Sequence, residues 1–239
     1  MTSAVEIGPV TWWLINLKMK LRPVLSLLAR QSDLFLAFLL TALAAYLGTN
    51  LFNPVRFDKE KIEVWAVAGQ IQVRGLYHYQ NRTLLPLSFS LGLPFPTDSN
   101  HPAPSSFSVV ETNANGETLT PISLRSYHGR LVFRLLFWPK QEKWIRVDYL
   151  QPTLADSGTY ILRTTRDWNR ALEQGAYTLH LASGLALASS SYPLEHDSLG
   201  GKNTYSFYRA HFFPDADWSF SWHSTAHVAT LLGEPHENF

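Results

Sequence analysis

IEVWAVAGQIQVRGLYHY, Ile62–Tyr79, alternates apolar and polar residues on both sides of Gly69. Period-two alternation marks a strand that lays one face on a core. With a glycine between two such runs, Ile62–Val67 and Ile71–Tyr79 are expected to form a β-hairpin. The pattern continues downstream. Leu84–Leu93 follows the polar turn Gln80-Asn81-Arg82, and Leu93–Pro104 then holds four prolines and is expected to be an irregular loop. Phe107–Leu124 contains Asn115-Gly116, a strong hairpin signal. RLVFRLLFW, Arg130–Trp138, is apolar on both faces, which predicts a central strand covered twice. Trp144–Leu150 alternates again. Thr159–Thr165 and Ala176–Ala182 bracket the loop DWNRALEQG, and Leu185–Tyr192, Asn203–Phe213 and Asp217–His223 complete the series. About ten to twelve short strands predict an all-β fold, an antiparallel β-sandwich.

Ahead of this region, LFLAFLLTALAAYLGTNLFNPV, Leu34–Val55, carries no charge between Asp33 and Arg56. As a helix it would run roughly 33 Å, enough for a hydrocarbon core of about 30 Å. The sequence therefore divides into a juxtamembrane segment 1–33, a single-pass transmembrane helix 34–55 and an extracytoplasmic sandwich 56–239. Trp12 and Trp13 with Lys18, Lys20, Arg22 and Arg30 suit a headgroup region and make membrane lipid an expected partner. Those four cations lean the orientation toward a cytoplasmic N-terminus, with the sandwich periplasmic or extracellular.

Of the 239 residues, 46% are hydrophobic and 16% charged, with a net charge of +1, so neither disorder nor nucleic-acid binding is expected. The absence of cysteine excludes disulfides, thiolate metal sites and cysteine nucleophiles. No nucleophile elbow, phosphate loop or dinucleotide fingerprint occurs. His223 and His227 have a helical metal-ligand spacing, but Ser224 stands where a zinc peptidase motif carries its glutamate. The chain is expected to be no enzyme and to need neither metal nor cofactor. Asn81-Arg82-Thr83 matches a glycosylation acceptor in a turn.

IRVDYLQPTLADSGTYIL, Ile145–Leu162, resembles the E-strand, corner and F-strand of immunoglobulin variable domains. The shared pieces are Ile145, Val147 and Leu150, then Gln151-Pro152, then Asp156-x-Gly158-x-Tyr160. The resemblance implies a sandwich whose Tyr160 returns its hydroxyl to backbone upstream. Leu162 stands where that family has its second cysteine.

Aromatic residues supply the candidate binding positions. Trp168 lies between Arg166 and Arg170 in a long loop, and loops on rigid sandwiches carry binding. Trp218, Phe220 and Trp222 alternate with Ser219 and Ser221, so their rings share one strand face. Such a face ordinarily belongs to the core. If exposed, Trp218 and Trp222 would form a platform for glycans. The function expected from these features is a membrane-anchored, non-catalytic accessory or scaffolding subunit whose partners are proteins of a membrane complex. An envelope glycan-binding module is the alternative.

Overall fold

The computed structural model describes residues 35–44, 54–127, 130–197 and 203–225. Two compact units divide the chain at Phe52/Asn53. In the first, residues 35–44 are helical, and no helix among the described residues is long and apolar enough to cross a membrane. Residues 1–34 and 45–53 lie outside the described residues, and with them the juxtamembrane segment and much of the expected span. Val55 is no part of a helix, because it opens the first strand.

The second unit is mostly β. Its strands are β1 (Val55–Val67), β2 (Gln70–Asn81), β3 (Leu87–Leu93), β4 (Ser106–Thr112), β5 (Thr118–Pro121), β6 (Leu124–Tyr127) and β7 (Arg130–Phe137). They continue as β8 (Glu142–Pro152), β9 (Ser157–Tyr160), β10 (Leu172–Leu181), β11 (Leu185–Ser190), β12 (Glu195–Asp197), β13 (Asn203–Phe212) and β14 (Trp218–Ser224). An eight-stranded sheet has the order β12-β13-β10-β1-β2-β8-β4-β5. Two three-stranded sheets, β11-β14-β9 and β3-β7-β6, supply the second layer. The pairing is antiparallel except between β1 and β10, which run parallel with Lys59 opposite Gln174 and Ala66 opposite Leu181.

The expected first hairpin is β1–β2. Gly69 turns it at φ 78°, a left-handed conformation that costs glycine little. Alternation sends Ile62, Val64 and Ala66 to the core together with Ile71 and Val73. Phe133, Leu135 and Phe137 bring β7 into that core, while Leu136 and Trp138 are 68% and 71% exposed. β7 is thus the middle strand of a small sheet covered once, not a strand covered twice.

β8 lies in the large sheet and β9 in a small one, so the stretch ADSGTY carries the chain across the sandwich. Gly158 pairs with Phe220, and a Cβ there would lie 2.7 Å from the Phe220 ring. Tyr160 is buried, and its hydroxyl meets Tyr77 Oη at 2.7 Å, a side-chain partner in the opposite layer instead of backbone upstream. Asn81 is fully buried. Its amide donates to the Leu85 and Trp138 carbonyls, both at 2.8 Å, so the acceptor-like sequence there presents no free asparagine.

Candidate binding surfaces

The loop expected at Asp167–Gly175 is shorter than its sequence suggests. It opens in a 3₁₀ turn, Arg163–Trp168, which also takes the end of the expected strand Thr159–Thr165, and it closes where β10 begins at Leu172. Asp217 holds the turn from outside. One Asp217 oxygen accepts the Leu162 and Arg163 backbone N–H groups at 3.0 and 2.9 Å, and the other meets the Arg163 guanidinium at 2.9 Å. Burial pushes the Asp217 carboxyl up, but these bonds outweigh it and hold the group below the usual carboxylate range. Asn169 ends the turn at φ 50°, donating its N–H to the Arg166 carbonyl at 2.8 Å.

The three candidate side chains do not all meet at one place. Trp168 packs its ring against Phe57, Tyr79 and Phe89 at centroid distances of 5.5, 5.7 and 5.6 Å. Its remaining face lines a cavity of about 300 Å³ with Asn169, Arg170, Arg56 and Arg82. Arg170 therefore shares the Trp168 site. Arg166 does not, because its guanidinium lies over Phe213, 5.3 Å from the ring. Arg56 and Arg82 come from β1 and from the segment after β2, and sequence reasoning missed both. Arg56 bridges Asp58 at 3.1 Å and also pairs with Glu173, while Arg170 reaches Glu173 at 4.0 Å. Burial and then the neighbouring Arg56 and Arg82 charges depress the Arg170 pKa, a sign that like charges converge here.

The other two sequence candidates belong to the core. Trp218 is 0% and Trp222 3% exposed, with Trp218 wedged against Tyr177, Phe207 and Phe220. Neither ring offers a platform to a glycan. The serines between them face away, which is why the alternation was visible.

A second surface lies on the face of the large sheet that points away from the small sheets. Trp65 stacks on His180 at 5.2 Å and 14°, and Arg74 covers the same ring at 5.7 Å. Arg74 Nε donates to Asp148 at 2.6 Å. The other Asp148 oxygen accepts from Arg146 Nε at 2.9 Å, and Arg146 continues to the Gly116 carbonyl at 2.9 Å. A half-buried row thus crosses β10, β1, β2 and β8. Toward the other end of β1, Asp58 occupies an irregularity of the strand and lies 2.5 Å from His78 Nδ1, while His78 Nε2 is 3.2 Å from Glu142. Burial raises the Asp58 pKa, yet the His78 bond and the His78 and Arg56 charges bring it below its ordinary value. A cavity of about 330 Å³ borders the row beside Gln72, Ser108 and Asp148.

His223, at the exposed end of β14, has its spacing partner His227 outside the described residues. Among the described residues no group of three metal-ligating side chains gathers.

No protein-family description matches the chain, and no curated protein matches it either. Solved structures do resemble it. A candidate nutrient-binding protein from Legionella pneumophila aligns with a TM-score of 0.53 at 14% identity, over 74% of this chain and 69% of that one. An M1 zinc metallopeptidase from Deinococcus radiodurans aligns at a TM-score of 0.43 and 11% identity, over 70% of this chain. The match spans only 42% of the peptidase. The Legionella likeness is one of fold alone.

Proposed function

We propose that the chain is a membrane-anchored, non-catalytic accessory subunit whose β unit docks a protein of a membrane complex. The observation that carries the docking is the row His180–Trp65–Arg74–Asp148–Arg146. Tryptophan and arginine are the residue types that dominate binding energy at interfaces. Here neighbours already fix them, so little side-chain freedom remains to be lost on association. The anchoring reading is supported by helix 35–44, where Phe35, Leu36, Phe38, Leu39, Leu40 and Leu43 are all at least half exposed. Apolar side chains around a helix require an apolar cover, and the uncharged run Leu34–Val55 offers the length for lipid to provide it. The basic residues before that run favour a cytoplasmic N-terminus and a β unit on the far side.

The test is purification in mild detergent with identification of co-purifying chains at fixed stoichiometry. Trp65→Ala with Arg74→Ala is expected to release the partner while leaving the fold intact, since both side chains are partly exposed. A lone monodisperse chain from the native membrane contradicts the proposal. The alternative of glycan binding gains no support from Trp218 and Trp222, which are core. The candidate nutrient-binding relative brings no ligand to this chain at 14% identity.

A further inference from the structure

Two chain segments meet at the end of the β unit that begins with Pro54. Arg82 N–H donates to the Pro54 carbonyl at 2.8 Å, Asn81 N–H to Gln141 at 2.9 Å and Lys140 N–H to Thr83 at 3.2 Å. With the Asn81 amide bonded to Leu85 and Trp138, these links lock the segment after β2 and the turn after β7 into one tip. The tip is not a polar loop. Leu84, Leu85 and Trp138 are 61%, 62% and 71% exposed, and Leu136 shares the Trp138 strand face. Native surfaces rarely gather exposed apolar side chains of this size without something to cover them.

The rim of the patch carries the cations Arg56, Arg82, Arg170 and Lys140 beside the carboxylates of Asp58, Glu173 and Glu142. Arg82 joins it to the cavity of Arg56, Arg170 and Trp168, and the Lys140 ammonium donates to the Arg82 carbonyl. Two carboxylates, Asp58 and Glu173, serve Arg56 and Arg170, whereas Arg82 has no ion-pair partner among the described residues. Exposed leucine and tryptophan beside arginine and lysine is the composition of a surface seated at a bilayer interface. Apolar side chains enter the acyl boundary there, and guanidinium groups take headgroup phosphates bidentately.

We infer that this tip rests on a lipid surface, with Leu84, Leu85 and Trp138 inserted and Arg82 and Arg170 on anionic headgroup phosphates. The inference stands whether or not 34–55 spans a bilayer. It goes beyond anchoring, because it sets the β unit on the lipid by a chosen end. The opposite end carries Gly69 and Leu154, the latter 76% exposed, and the length of β1 separates the two ends by about 40 Å.

The chain has no cysteine, so one introduced cysteine labels one place. Full-length Leu85→Cys and Leu154→Cys, each carrying a fluorophore, would be bound to vesicles of phosphatidylcholine and phosphatidylglycerol whose headgroups carry a nitroxide quencher. The label at 85 is expected to lose about half its emission or more, and that at 154 almost none. Arg82→Gln with Arg170→Gln, or vesicles of phosphatidylcholine alone, should reduce quenching at 85 severalfold. Circular dichroism checks that the variants keep the fold. Equal quenching at both positions, no quenching at 85, or indifference to both the arginines and the anionic lipid overturns the inference. Retention of the chain on vesicles in high salt reports separately on the apolar run.

Discussion

Glu60 is the least expected side chain of the core. It sits on β1 opposite Gly175, buried, and accepts the Tyr177 hydroxyl, with Tyr77 and Tyr160 bonded to one another nearby. Burial pushes its carboxyl up to about 7, against the smaller downward pull of the Tyr177 bond, and pushes the phenols of Tyr77, Tyr160 and Tyr177 well above theirs. The folded protein thus prefers the neutral acid. Its contribution is fully present below the unfolded value of 4.5 and is lost as pH rises through about 7. Urea unfolding is expected to show about 3 kcal/mol lost from this group between pH 4.5 and pH 8, and Glu60→Gln should flatten that slope. A slope unchanged by the substitution would remove Glu60 from the account. Gly158 gives a second residue-scale prediction. Gly158→Ala must displace the buried Phe220 ring, and thermal unfolding should report a loss of about 1–3 kcal/mol. The sequence marks Gly158 as a turn glycine. That Phe220 is the reason for it depends on which strand lies beside β9, a pairing between residues about sixty positions apart.

At the scale of elements, the 3₁₀ turn Arg163–Trp168 depends on Asp217, which reaches it from the start of β14. Asp217→Ala leaves two backbone donors without their acceptor and should cost about 1–2 kcal/mol, as loss of a helix cap does. Trypsin should then cut at Arg163, Arg166 and Arg170 sooner than in the parent chain. Unchanged cleavage would mean that packing of Trp168 alone holds the turn. Trp168 and Arg170 were legible as binding candidates because both lie in one loop. Arg56 and Arg82 were not, since a cavity assembled from three distant segments leaves no local spacing to find. The strands were legible for the converse reason: alternation is written residue by residue. β7 misled because its apolar outer face, Leu136 and Trp138, looks in sequence like a second buried face.

For the whole molecule, composition and alternation were enough to indicate an all-β unit, whereas the sheet order, the parallel β1–β10 pair and the two small sheets follow from long-range pairing. The aromatic face of β14 was legible as a face, and only its neighbours Tyr177 and Phe207 decide that it is core. In the function proposed above, this unit is joined to a bilayer through the uncharged run 34–55 and holds a partner there. Alkaline carbonate extraction of membranes from cells making the full chain tests that junction most directly. Carbonate strips peripheral proteins and leaves lipid-spanning ones behind. The chain is predicted to remain in the membrane pellet; its appearance, intact, in the soluble fraction would contradict the account.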